Sequence, residues 1–273
     1  MSERRSRTAG ARQSRRVRLA IFDIDGTIFR SSLLIELFNE LVRRGVFPRQ
    51  ASLEVERNFV AWLDRKGHYN DYLMRLVRVH YRYQTGCTVR QVEPAIKAVI
   101  EWQKDRVYRY TRDLIKQLRS EGFYLLAISN SQDSMVQRFA RVLGFDAAIG
   151  RSLEVVDGVY SGRVLYNGKR FPIEAHLDKV AILHGFLAAN GITADLKRSI
   201  AVGDSEGDIP LLAAVGHPIA FNPSAELAAA AQERDWQIVV ERKDIVYKIK
   251  DAQIVNVSEH QRVRVPYGHP RRK

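Results

Sequence analysis

Short, wholly apolar runs alternate along the chain with segments whose apolar residues recur every three to four positions, and each apolar run stops at a polar loop. Runs of this kind read as strands buried on both faces, and the recurring pattern between them reads as amphipathic helices. Strands are predicted at 19–22, 123–128, 147–149, 199–202, 218–221 and 237–240, with helices at 110–120, 132–143, 174–190, 211–215 and 224–234. Between 153 and 165 the residues alternate around Asp157-Gly158 and Ser161-Gly162, the pattern of a β-hairpin. A repeated β, α, β order of this kind predicts a parallel sheet with helices on both faces.

One interval breaks the order. Between the first and second strands, helical periodicity runs through 31–44, 50–65, 69–83 and 88–104, with Gly45 and Pro48, Gly67 and Gly86 as stops. Seventy or so helical residues exceed an ordinary βα connection, which predicts a separate helical cap. Its aromatic residues Trp62, Tyr69, Tyr72, Tyr81, Tyr83 and Trp102 could line a pocket, although aromatics at helical spacing read first as packing. His68, His80 and His184 have no second histidine or carboxylate at ligand spacing and read as surface or packing residues.

Charge changes the picture only at the ends. Of the formal net charge of +13, residues 1–18 carry +6 and residues 262–273 carry +5, leaving +2 for everything between. Like-charged, apolar-poor blocks are expected to be disordered, solvated tails with at most weak attachment to RNA, DNA or anionic headgroups. No apolar run approaches the length of a membrane span. Cys87 is the sole cysteine, so no intrachain disulfide can form, and a reducing, cytoplasmic setting is the expectation.

The candidate chemistry sits where strands end. Asp23 and Asp25 directly follow the first strand, ahead of Gly26 and Thr27. Two carboxylates so close must share a cation, take up a proton or turn apart to cap backbone amides. Ser129-Asn130-Ser131 closes the second strand before a helix, a junction suited to phosphate but also to ordinary helix capping. Asp204 and Asp208 follow the fourth strand, and Lys179 lies near the start of the preceding helix. Right-handed crossovers would bring Asp23, Ser129 and Asp204 to one edge of the sheet, where ligands of open α/β sheets bind.

In that order, Asp23-Ile24-Asp25-Gly26-Thr27, Ser129, Lys179 and Gly203-Asp204 through Asp208 resemble the motif set of the haloacid dehalogenase (HAD) superfamily. The resemblance implies a HAD-like Rossmannoid core of residues 19–30 and 107–245. It implies an inserted C1 cap at 31–106, with basic tails at 1–18 and 246–273. It implies a phosphatase in which Asp23 is the nucleophile and Asp25 the general acid and base. Ser129, Lys179, Gly26, Thr27 and Asn130 would bind phosphate, and Mg²⁺ would be held by Asp23, Asp25 through its backbone carbonyl, Asp204 and, at one remove, Asp208. The helical insertion and the stretch from Gly203 to Leu212 resemble the phosphoserine phosphatase-like subfamily IB. Ser32, however, stands where those enzymes usually have a glutamate, with Glu36 one turn further on. The substrate is thus left open between phosphoserine and another small phosphomonoester of an alcohol or amino alcohol. The rival expectation is a nucleic-acid or anionic-surface binding protein that uses the tails on a HAD scaffold.

Overall fold

The computed structural model describes residues 16–166 and 168–249. Its centre is β1 (Leu19–Phe22), whose four residues are all buried. Ala20 and Phe22 enter the apolar cluster on one face of the sheet, whereas Leu19 and Ile21 enter the cluster on the other. That period of two explains the uninterrupted apolar run: both sides of the strand are covered.

β1 is followed by α1 (Leu33–Arg43), α2 (Gln50–Leu63), α3 (Tyr69–Gln84), α4 (Val89–Gln103) and α5 (Arg109–Ser120). The chain continues through β2 (Tyr124–Gln132), α6 (Asp133–Leu143), β3 (Ala147–Val156), β4 (Val159–Tyr166), β5 (Lys169–Phe171) and α7 (Lys179–Ala189). It closes with β6 (Ile200–Gly203), α8 (Ile209–Ala213), β7 (His217–Phe221), α9 (Ala225–Glu233), β8 (Gln237–Arg242) and β9 (Ile245–Ile249). The strands form one sheet in the order β5-β4-β3-β2-β1-β6-β7-β8-β9, parallel from β3 to β8 and antiparallel at both margins. From β1 the chain winds outward to β2 and β3, then returns to β6 on the other side. β1 therefore lies at the topological switch point, where the carboxyl ends of strands open a crevice. Among the described residues, no helix is long and apolar enough to cross a membrane.

The structure departs from the sequence expectations at several boundaries; β5 was not expected, and β3 runs on to Val156 into the hairpin. The second strand continues beyond 128 to Gln132, with a register shift against β3, so α6 begins one residue later than expected. The helix expected from 174 begins only at Lys179, because Asp178 accepts hydrogen bonds from the amides of Val180 and Ala181 and so fixes the start. The basic tail expected to run to residue 18 stops short of Val17, whose amide donates to Thr193 and whose carbonyl accepts from Asp195. The tail expected from 246 begins instead as β9, paired with β8. The rest of both basic segments lies outside the described residues.

The helices between β1 and β2 are tied to the sheet at several points. The α3–α4 turn hydrogen-bonds through its backbone to the β3–β4 hairpin: the amides of Gly86 and Val89 donate to Tyr160 and Gly158, and the Tyr160 amide donates to Cys87. Gln84 on α3 donates to Gln132, which donates to Tyr160. Glu93 on α4 pairs with Arg138 on α6. One apolar cluster runs from Phe22 in the sheet to Leu76 and Ile96 in these helices.

His80 is fully buried within this bundle, against the rings of Phe38, Phe47 and Tyr81, and neither ring nitrogen makes a well-formed hydrogen bond. Burial lowers its pKa from 6.5 to about 4, slightly offset by Gln84. Below pH 6.5 the unfolded chain binds the proton first. His80 therefore supports stability fully above that pH, and the support is lost as pH falls toward 4, by up to roughly 3 kcal/mol. His80→Leu should remove this component: urea melts at pH 7 and pH 4.5 should show a smaller acid destabilisation than in the parent chain. An equal pH response would contradict the assignment.

Candidate active site

The predicted site residues lie at or just past strand ends, except Lys179, which opens a helix. Asp23 follows β1, and its amide donates to Val202 of β6, which fixes it beside the loop that carries Asp204. Lys179, the first residue of α7, reaches across and donates to Asp23 Oδ1 and to Asp208 Oδ1, both at 2.5 Å. All three side chains are buried. Carboxylate oxygens of Asp23, Asp204 and Asp208 lie within 4.8 Å of one another.

Asp208 is the most constrained of these acids. Its Oδ2 accepts from the amides of Asp204 and Ser205 and from the Ser205 hydroxyl, while its Oδ1 is held by Lys179. It thus shapes the Asp204 loop and orients the lysine. A Cβ on Gly203 would come within 2.4 Å of the Asp208 carboxyl carbon, so the strand must end in glycine for this carboxylate to fold back. Asp204, by contrast, has one hydrogen-bond donor among the described residues, Thr27 Oγ1 at 3.2 Å. Thr27 is fully buried and its hydroxyl is turned to Asp204, not to open space. Gly26, at φ +81°, lies directly against the same carboxylate: a Cβ there would fall 2.0 Å from Asp204 Oδ2.

Asp25 faces the β2 end. Ser129 and Ser131 hydroxyls donate to its Oδ2 at 2.9 and 2.7 Å, and the Leu33 amide at the start of α1 donates to Oδ1 at 2.5 Å. The helix terminus adds its partial positive charge. Asn130 is turned the other way: its side-chain oxygen accepts from the Leu177 amide and from Arg151, so it secures the approach to α7.

The electrostatics of the pocket are those of crowded acids. Burial, reinforced by Asp208 and Asp25 and opposed by Lys179, lifts the Asp23 carboxyl from 3.8 to about 7. Asp204 is raised by burial and by the charges of Asp23 and Asp208. Asp25 is raised by burial against the opposing hydrogen bonds of Ser131, Leu33 and Ser129. Burial works against the Lys179 charge, but Asp208 and Asp23 outweigh it and the ammonium is held firmly protonated. One lysine thus faces four carboxylates.

Sequence reasoning read Ser131 as a helix cap and did not assign it to Asp25. The available signal was the spacing from Ser129: in a strand that continues to Gln132, residues two apart project to the same side. Arg151 was also overlooked. It is buried and donates to the carbonyls of Ile173 and Ala175 as well as to Asn130, which braces the segment before α7.

The model of the haloacid dehalogenase-like hydrolase family matches residues 20–213, an interval that contains every one of these acids together with Ser129 and Lys179. The chain belongs to that family. Among curated relatives of this HAD-like hydrolase, phosphoserine phosphatase SerB1 of Mycobacterium tuberculosis is 33% identical over 49% of this chain, and the match covers 41% of the relative's own length. A probable phosphatase of the same organism is 28% identical over 85% of this chain and 78% of its own. A solved phosphoserine phosphatase in its apo form superposes with a TM-score of 0.56 at 23% identity, over 84% of this chain and 96% of that one. This last likeness is one of fold: a parallel-dominated α/β sheet with helices on both faces.

Proposed function

We propose that this HAD-like hydrolase is a Mg²⁺-dependent phosphomonoesterase that works through an aspartyl-phosphate on Asp23. The observation that carries the reading is the carboxylate set of buried Asp23 and Asp208 with half-buried Asp204, which Lys179 alone cannot neutralise.

The donor set fits a hard divalent cation. Asp23 Oδ2 accepts no hydrogen bond among the described residues although Asp23 is 5% exposed, and Asp204 receives only the Thr27 hydroxyl. Oxygen-only ligands of this kind suit Mg²⁺. Asp23, the Asp25 carbonyl and Asp204 would hold it, with Asp208 setting the loop geometry. When bound, the ion supplies charge neutralisation of the phosphoryl oxygens.

The chain's own residues account for the remaining steps. Lys179 donates to Oδ1 of both Asp23 and Asp208 and so fixes the orientation in which the Asp23 carboxylate would attack phosphorus. As the Asp23 O–P bond forms, the bond from phosphorus to the leaving oxygen breaks, and Asp25 passes its proton to that oxygen. Asp25 then takes a proton from water, whose oxygen attacks phosphorus, releasing inorganic phosphate and restoring the Asp23 carboxylate. Burial favours the protonated form of Asp25 that the first step needs, and the two serines and the Leu33 amide favour the ionised form of the second. Ser129 and Lys179, with the Asn130 amide, would receive the phosphoryl oxygens, Ser129 by turning from Asp25 while Ser131 keeps its hold; the Gly26 and Thr27 amides, expected from the sequence to share this task, instead donate to the Phe29, Ser31 and Ile24 carbonyls and hold the loop's own turn. The helices α1–α4 would serve as the cap over this centre.

Two outcomes test the reading. Mg²⁺ at a hundredfold excess over its dissociation constant should stabilise the protein by about 3 kcal/mol, seen as a rise in melting temperature that EDTA reverses. No rise, together with no Mg²⁺-dependent phosphate release from any of a panel of small phosphomonoesters, would contradict it. Gly26→Ala should weaken Mg²⁺ binding by about tenfold or more, because the new methyl carbon would fall 2.0 Å from Asp204 Oδ2 and push that carboxylate aside; isothermal titration with Mg²⁺ measures this, and unchanged affinity would remove Asp204 from the ligand set.

A further inference from the structure

Arg151 is a buried cation that no carboxylate answers. It lies on β3 opposite Gln132 of β2 and is 5% exposed. Its Nη1 donates to the Ile173 carbonyl at 2.5 Å, and its Nη2 donates to the Ala175 carbonyl at 2.7 Å and to Asn130 Oδ1 at 3.3 Å. These oxygens are all neutral, and Nε has no hydrogen-bond partner among the described residues. A guanidinium without a counter-ion is costly to bury, and a neutral side chain would be less so. What the guanidinium alone supplies is a planar fork that holds several oxygens at a fixed spacing.

The three oxygens belong to two separate stretches of chain. Ile173 and Ala175 lie in the irregular segment 172–178 that leads from β5 into α7, whereas Asn130 stands between Ser129 and Ser131 near the end of β2. Asn130 Oδ1 also accepts from the Leu177 amide at 2.9 Å, so Arg151 and Asn130 together close one stretch on the other. The segment has few other anchors: Leu177 is its only buried apolar side chain, and the Ala175 amide turns back to Pro172. Two residues past Leu177 comes Lys179, whose Nζ stands 2.5 Å from both Asp23 and Asp208. On the other side of Asn130, the Ser129 and Ser131 hydroxyls hold Asp25. The Asp204 loop depends on different contacts, those of Asp208 Oδ2 with the amides of Asp204 and Ser205 and with the Ser205 hydroxyl.

Resting on the phosphatase reading above, we infer that Arg151 is a positioning residue: its fork clamps the segment before α7 onto Asn130 and so sets where Lys179 and the end of β2 stand relative to Asp23. It touches neither the substrate nor the reacting atoms. Loss of the clamp therefore impairs the handling of phosphate and spares the cation site.

Lys179 reports on the clamp without any turnover. Brief acetylation of the full chain with acetic anhydride, followed by digestion and mass spectrometry, should leave Lys179 protected in the parent chain. In Arg151→Gln its labelling should be faster by about tenfold or more, with the exposed Lys97, Lys116 and Lys197 unchanged. Arg151→Lys keeps the charge but lacks the fork and should also expose Lys179, which supplies the same reading should Arg151→Gln fail to fold. With Mg²⁺ and p-nitrophenyl phosphate, both variants should lose about a hundredfold in kcat. Inhibition by inorganic phosphate should weaken, while Mg²⁺ affinity by isothermal titration stays at the parental value. Unchanged protection of Lys179, faster labelling of every lysine, parental turnover in Arg151→Lys, or Mg²⁺ affinity that falls in step with kcat would each overturn the clamp. A parent chain that hydrolyses no phosphomonoester while Arg151 still guards Lys179 would overturn the phosphatase reading and leave the clamp standing.

Discussion

Asp23→Asn should lower phosphomonoester turnover by more than about a thousandfold while the chain remains folded. The amide cannot form the acyl-phosphate bond, and it removes one negative charge from a pocket that has too many. Since burial and the neighbouring acids already raise the Asp23 pKa to about 7, the neutral isostere should cost little stability and may be compared at equal folded fraction. The measurement is phosphate release by the purified variant beside its melting curve. A folded Asn variant with parental turnover would remove Asp23 from the role of nucleophile.

Lys179→Met should have the largest effect on stability. The lysine is 3% exposed and is the charged partner of both Asp23 and Asp208. Removing one member of a buried ionic group leaves the others uncompensated, at a cost of about 3–5 kcal/mol. The sign of the cation effect follows: with the ammonium gone, Mg²⁺ should rescue a larger share of stability in the variant than in the parent chain. Urea denaturation with Mg²⁺ and with EDTA reads both numbers. A variant as stable as the parent in EDTA would mean that the three side chains do not form a coupled set.

Much of this arrangement was legible in the sequence because it is written in side chains. The alternation of Leu19 and Ile21 against Ala20 and Phe22 across the sheet, the helical spacing of Leu33, Leu37 and Leu41, and the acids placed after apolar strands all leave a residue pattern. Asp23, Lys179, Asp204 and Asp208 meet in one pocket, as the order of the strands requires. What the sequence hid is carried by the backbone or by distant pairing. β9 is an edge strand whose Ile245, Val246 and Tyr247 are exposed, and it is held by main-chain hydrogen bonds to β8, so its residues show no buried face. The docking of the α3–α4 turn on the β3–β4 hairpin likewise uses amides and carbonyls that any residue supplies.

The role of Ser131 was hidden by the extension of β2, and the mutual pairing of Glu54 with Arg75 and Arg82 by a separation of 21 and 28 residues.

The central claim is a covalent one, and it is tested most directly by acid quenching during turnover of an ester carrying a radiolabelled phosphoryl group, followed by digestion and peptide mapping. The label should appear on the peptide that contains Asp23, be sensitive to hydroxylamine as an acyl-phosphate is, and be absent from Asp23→Asn. Rapid turnover with no label on that peptide, or label on a different residue, would contradict the account.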